Sequence, residues 1–215
     1  MQLADLTVRA FADTVASDAP APGGGSAAAF EGAVGASLTA MVACLTQGRK
    51  KYAEFSEFAA QVEQKASALK DELLAVMDRD TEAFNTVSRA FSLPKETEEQ
   101  KAARSAAIQE GLKGCTQTPM EMMVLCDEAI TLTWSFLEKG FNQSAASDLG
   151  AAFLSLKGAM QGAWLNVLIN IGSIKDTAFA NAARQQGEAL LAHGLPLAEE
   201  GYARVLCMID VQGRS

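Results

Sequence analysis

The feature that most restricts how this chain can fold is the segment Ser17-Asp18-Ala19-Pro20-Ala21-Pro22-Gly23-Gly24-Gly25-Ser26, which no helix can run through. Two prolines remove backbone donors, and three consecutive glycines free the backbone. Apolar residues recur at helical spacing on both sides. Leu6, Val8, Phe11 and Val15 predict a first helix over Leu3 to Ala16, and Ser26 is placed to cap a second one reaching about Thr46. A corner between helices needs one glycine, not three. Successive glycines at the start of a helix bare several backbone donors, where the dipole favours an anion or a carbonyl oxygen. The segment is not a phosphate-binding P-loop, because the Gly-Lys-Ser/Thr ending is absent and no strand precedes it.

The remaining chain reads as more helix. A long one is predicted from Ser56 to Phe91, stopped by Ser92-Leu93-Pro94. Thr97 and Gln100 form a capping-box pair that opens a charged helix running to Lys139, with Pro119 either kinking or restarting it and Gly140 at its C-terminal end. A polar junction leads to a helix from Asp148 to about Ile171, and two more are expected over Lys175 to His193 and Leu197 to Met208, divided by Gly194-Leu195-Pro196. Aromatics are 7% of residues, so a core would be filled by Ala, Leu, Val and Met, which suits close-packed helices. No strand alternation, repeat or long linker is evident. The expectation is all-α: one domain over residues 1–215, an antiparallel bundle of about six helices.

A formal charge of −8 gives nucleic acid no basic footprint. The charge-free stretch Gly32 to Thr46 is shorter than the roughly 20 apolar residues of a membrane span and is read as a buried helix. Cys44, Cys115, Cys126 and Cys207 include no Cys-x-x-Cys pair and read as buried free thiols, and Met1 to Ala10 lacks the apolar run of a secretory signal. A cytoplasmic protein that binds neither membrane nor nucleic acid is expected.

The sole histidine, His193, precedes Gly194 and reads as a helix cap, which argues against a histidine triad or a multi-histidine metal site. Acid–base work then falls to carboxylates, lysine, cysteine or water. Gly158, Gly162, Asn166 and Asn170 follow one another at four-residue intervals, opposite a small surface of Gly32, Gly35 and Ala36. The two asparagines are either a structural polar network or part of a site. Lys95 locally reads as a surface lysine, Ser144, Ser147 and Asp148 as a cap, and Arg49-Lys50-Lys51 as a solvated helix end. Asp78 and Asp80 are expected to be exposed, although Asp80 followed by Phe84 also fits an inward face.

In order along the chain, Pro20 through Ala29, Met41-Val42-Ala43, Thr46 through Tyr52, Asp80-Thr81-Glu82-Ala83-Phe84, Leu93-Pro94-Lys95 with Arg104, Pro119, Ser147-Asp148 and Asn166 through Asn170 resemble the cyclodeaminase/cyclohydrolase family acting on one-carbon groups of tetrahydrofolate. The resemblance implies a dimerising helical bundle that binds a tetrahydrofolate derivative as substrate near the glycine segment, with no further cofactor and no metal. It implies hydrolysis of 5,10-methenyltetrahydrofolate to 10-formyltetrahydrofolate. The alternatives are cyclisation of 5-formiminotetrahydrofolate with loss of ammonia, or a non-catalytic folate-binding bundle. By matching position, Asp148 takes the cation-stabilising or base role and Lys95 the acid or water-orienting role. Asn142, Ser147, Asn166 and Asn170 would hold the pterin or folate amides, Gly23, Gly24, Gly25 and Ser26 a carbonyl or carboxylate, and Lys50 or Lys51 the glutamate tail. One departure stands out: Phe141-Asn142 fills the place where family members often have Gly-Asn.

Overall fold

The computed structural model describes residues 2–212 and contains no strand among them. Six α-helices carry the fold: α1 Val8–Val15, α2 Gly24–Thr46, α3 Ser56–Phe91, α4 Glu98–Lys139, α5 Ala146–Ile171 and α6 Thr177–Gln212. Short 3-10 turns precede α1, α3 and α5, at Leu3–Asp5, Lys50–Phe55 and Gln143–Ala145.

Small residues set how closely these helices run. A Cβ on Gly35 of α2 would lie 2.6 Å from Leu156 Cγ of α5, and one on Gly162 would lie 3.0 Å from the Cβ of Ala28. Gly32 abuts Ala159 and Cys126. As the partner numbers rise on one helix they fall on the other, so α2 and α5 are antiparallel, and the expected small-residue surfaces do meet. By their contacts α3 is likewise antiparallel to α2, α4 to α3 and α5, and α6 to α5. The middle of α2 is wedged between α3 and α5, with Ala29, Ala36, Val42 and Ala43 fully buried. Its most apolar 18-residue window has a mean hydropathy of 1.6, enough by length and composition to cross a membrane, and half of that window is buried inside the bundle.

Several ends follow the sequence. Thr97 and Gln100 close the capping box of α4, and Gly140 ends that helix at φ 125°, a conformation that glycine accommodates. Phe141 is buried against Phe136, which in turn meets Phe58, and Gly140 beside it supplies the turn. Pro119 sits inside a continuous α4.

Others do not. The first turn, Leu3–Asp5, is separate from α1, because Leu6 and Thr7 are extended and Thr7 caps α1 by accepting from Ala10 N–H, while Leu3 N–H donates to Asp78 Oδ1 (2.8 Å). The second helix starts at Gly24, so Ser26 lies inside it and is no cap. The predicted break at Gly194-Leu195-Pro196 is absent: α6 runs through Pro196. Packing on both flanks outweighs the missing donor, since Gly194 is pressed on Asp127 and Met160 and Gly201 on the Phe153 ring. His193 is therefore no terminal cap; its Nδ1 lies 2.8 Å from Asp127 Oδ1 and ties α6 to α4. Asp176 caps α6, accepting from Phe179 N–H. Of the four free cysteines, Cys115 and Cys126 are buried as expected, whereas Cys44 and Cys207 are exposed.

Candidate active site

At the end of the bundle where α2 begins, a cavity of about 370 Å³ opens between the glycine segment, the last three turns of α3, Leu112 and Cys115 of α4 and the end of α5. Gly23, Gly24 and Gly25 form one wall, Phe84, Val87 and Phe91 another, and Asn166, Ile169 and Asn170 a third, with Asp80 and Cys115 on the inner surface. Asp80 and Cys115 are the titratable residues of this lining, which includes neither lysine nor arginine.

Asp80 reaches this position because α3 passes antiparallel to α2 at its N-terminus. Its carboxylate lies so close above the glycines that a Cβ on Gly25 would collide with Oδ1, which is what the third glycine is for. Ser26 Oγ donates to Asp80 Oδ2 at 3.0 Å. The anion favoured at the start of α2 is thus the protein's own carboxylate. Burial pushes the Asp80 carboxyl above its ordinary value, and the hydroxyl and backbone N–H of Ser26 pull the other way. Burial, followed by the nearby Asp80 charge, pushes the Cys115 thiol up to about 11, so it stays protonated at neutral pH.

The asparagines are aimed by α5. Asn166 Nδ2 donates to Gly162 O at 2.9 Å and Asn170 Nδ2 to Cys115 O at 2.7 Å. The latter bond traces back to Pro119, four residues beyond Cys115: with no N–H there, the Cys115 carbonyl lacks its helical donor and takes Asn170 instead. Both amide nitrogens are fixed against carbonyls, and neither Oδ1 has a hydrogen-bond partner among the described residues. An apolar slot with two amide acceptors and one inner carboxylate suits a flat heterocycle that carries N–H donors and positive charge.

Gly23, Gly24, Gly25, Asn166 and Asn170 are brought together here. Ser26 is fully buried behind Asp80 and does not line the cavity. Lys95 lies outside the lining, exposed on the connection four residues beyond Phe91. The remaining predicted residues are at the opposite end of the bundle. Asp148 precedes Asn166 by 18 residues of continuous helix, about 27 Å. Ser147 is exposed beside it, and Lys50 and Lys51 are exposed in the turn after α2. Asn142 is buried and internally satisfied: its N–H donates to Thr46 Oγ1, its Nδ2 to Leu45 O, and its Oδ1 accepts from Ser144. It locks the α4–α5 junction onto the end of α2. Among the predicted candidates, the inner carboxylate, Asp80, was missing. Its signal was the Asp80 to Phe84 spacing that fitted an inward face, and its partner Ser26 lies 54 residues away in sequence.

A larger groove, about 680 Å³, runs between α3 and α4 past Lys65, Leu69, Leu125 and Leu132. Lys65, Glu72 and Glu128 are exposed along it and Asp127 is taken up by His193, so it lacks the convergent polar groups of the glycine-segment cavity.

The formiminotransferase-cyclodeaminase family profile matches residues 7–189. Methenyltetrahydrofolate cyclohydrolase of Methylorubrum extorquens is 44% identical over 204 residues, 95% of this chain and 98% of that protein. Formimidoyltransferase-cyclodeaminase of Sus scrofa is 34% identical over 187 residues, 86% of this chain but 34% of the longer pig protein. Among solved structures, formiminotetrahydrofolate cyclodeaminase from Thermotoga maritima superposes with a TM-score of 0.82 at 26% identity, covering 97% of this chain and 98% of that one.

Proposed function

The chain belongs to the formiminotransferase-cyclodeaminase family, and on that premise we propose that it hydrolyses 5,10-methenyltetrahydrofolate to 10-formyltetrahydrofolate in the cavity at the start of α2. The observation that carries this reading is Asp80, a carboxylate held at a helix N-terminus on the inner wall of a cavity lined by neither lysine nor arginine. The methenyl bridge is a cation shared between N5 and N10, and a buried carboxylate stabilises it directly. Water adds to the bridge carbon as Asp80 accepts its proton, giving a neutral tetrahedral carbinol. The carbon–N5 bond then breaks, the proton is delivered to N5, and the carbinol hydroxyl becomes the formyl carbonyl as its own proton is released. Asn166 and Asn170 present their Oδ1 atoms to pterin N–H groups, and Phe84 and Phe91 flank the ring. Lys95 and Lys175, four residues past Phe91 and two past Ser173, follow lining residues without lining the cavity themselves, and they would meet the anionic glutamate tail beyond it.

The similarity to the full length of the Methylorubrum cyclohydrolase favours hydrolysis. Cyclisation of the formimino compound passes through the same tetrahedral carbon, and the 0.82 superposition on the Thermotoga cyclodeaminase keeps it as the second reading. Purified protein should speed loss of the methenyl chromophore above the spontaneous rate, and Asp80→Asn should lose about 10²–10⁴-fold of that rate. No acceleration by the wild-type protein overturns the hydrolase reading. An Asp80→Asn variant at wild-type rate removes Asp80 from the chemistry. Ammonia release from the formimino substrate separates the second reading.

A homodimer is part of the proposal. Val34 and Met41, seven residues apart on α2, and Leu154 and Leu165, eleven apart on α5, are exposed on sides that adjoin where Glu31 meets Gly158. A two-fold axis across this face sets two copies of α2 antiparallel. The Lys50, Lys51 and Asp148 end of one protomer then approaches the glycine segment of its partner.

A further inference from the structure

We propose that Ser26 is a positioning residue for Asp80 and not a substrate contact: its hydroxyl turns between the Asp80 carboxylate and the Met77 carbonyl as Asp80 takes up and releases the proton of the reaction. The proposal rests on the acid–base reading of Asp80.

Ser26 is fully buried, so no solvent water substitutes for its partners. Its Oγ lies 3.0 Å from Asp80 Oδ2, 3.1 Å from Met77 O and 3.2 Å from Thr81 Oγ1. A hydroxyl has one proton and two lone pairs, so it cannot donate to all three at once. With Asp80 ionised, the charged oxygen is the stronger acceptor and takes the Ser26 proton in a hydrogen bond. Once Asp80 is protonated, its own O–H needs an acceptor, and Ser26 Oγ is at hydrogen-bond distance. Ser26 then swings its proton to Met77 O, while Thr81 supports either arrangement. Ser26 keeps its proton throughout; only the O–H direction changes. Neither protonation state leaves a buried polar atom unpaired, and that lets one carboxyl serve as base and then as acid without rearranging the backbone.

Other charges near Asp80 are quiet or engaged elsewhere. From α4 it faces the Cys115 thiol, which burial and the Asp80 charge hold up to about 11. From α5 it meets the neutral Asn166 and Asn170, and from α2 the glycines and Ser26. On α3 itself, Arg79 pairs with Glu121 (2.8 Å) and Glu72 (3.6 Å), and Asp78 accepts from Leu3 N–H. Ser26 is thus the direct polar control on this carboxyl.

The test compares Ser26→Ala with Ser26→Thr, which keeps the hydroxyl. Methenyl hydrolysis is followed against pH, and the Asp80 carboxyl is titrated by ¹³C NMR in the ligand-free protein. Removing a donor to the carboxylate disfavours its ionised form, so in Ser26→Ala the acid limb of kcat and the NMR midpoint should both move to higher pH. KM should stay within about twofold. Ser26→Thr should return both towards wild type. If Ser26→Ala fails to fold, Ser26→Cys, a weaker donor of similar size, should show a smaller shift in the same direction. A raised KM with an unmoved limb would make Ser26 a substrate contact. Lower thermal stability with an unmoved NMR midpoint would make it a packing residue only. An acid limb that persists in Asp80→Asn defeats the reading of Asp80 instead, and the NMR titration still decides the coupling to Ser26.

Discussion

Asp80 is placed against its own stability. Burial raises its carboxyl above the ordinary value, so the folded state binds a proton more tightly than the unfolded one. The associated stabilisation is complete below the unfolded-state pKa and is lost as pH rises through the folded one. At neutral pH the ionised carboxyl therefore costs stability that Asn would not. Asp80→Asn should melt at or above the wild-type temperature at pH 7 while turnover collapses, and the gap should close as the pH is lowered towards the carboxyl range. A lower melting temperature at pH 7 would mean that Ser26 and the helix dipole outweigh burial. At this scale half of the site was legible. Three glycines in a row and two asparagines one turn apart are local patterns, and both line the cavity. Asp80 was hidden because its environment comes from Gly25 and Ser26 on another helix, which no local spacing reports. Asn142 is the opposite case. It matched a family position, but its polar groups are used inside the fold.

Among the elements, α2 and α5 depend on missing side chains in a way that can be separated from helix propensity. Glycine inside a helix costs up to about 1 kcal/mol relative to alanine, so filling any of these positions gains something intrinsically. At Gly114 of α4 a Cβ meets nothing within 4 Å, and Gly114→Ala should stabilise by about 0.5–1 kcal/mol. At Gly35 the same Cβ would sit 2.6 Å from Leu156 Cγ and 3.1 Å from its backbone nitrogen. Backbone does not yield as a flexible side chain does, and overpacking of this kind costs about 1–3 kcal/mol. Gly35→Ala should therefore destabilise in urea unfolding, and equal responses from the two variants would refute the close-packing account. Helix existence and most ends were readable because capping residues and periodicity are local. The continuity of α6 was not. Gly194-Leu195-Pro196 is a break by every local rule, and it is overridden by contacts with Asp127, Met160 and Phe153 from α4 and α5.

For the whole molecule, the difficulty is that residues expected to act together occupy opposite ends of one protomer. Gly24 and Thr46 are separated by the length of α2, about 33 Å. A substrate held by the glycine segment cannot also touch Asp148, Lys50 or Lys51 of the same chain. The two-fold arrangement proposed across α2 and α5 reconciles the two ends and gives a quantitative expectation. Asp80→Asn and Asp148→Asn, each weak alone, would combine in a mixed dimer with one doubly altered site and one intact site. Random exchange makes half of the dimers mixed, so activity should recover to about a quarter of wild type. Recovery should require exchange, and Met41→Arg with Leu154→Arg should abolish it while sedimentation shifts to the monomer. If mixing restores nothing although exchange is complete, each site lies within one chain. Asp148 then acts only on the fold of its own end, where it lies in the first turn of α5 and favours the helix dipole.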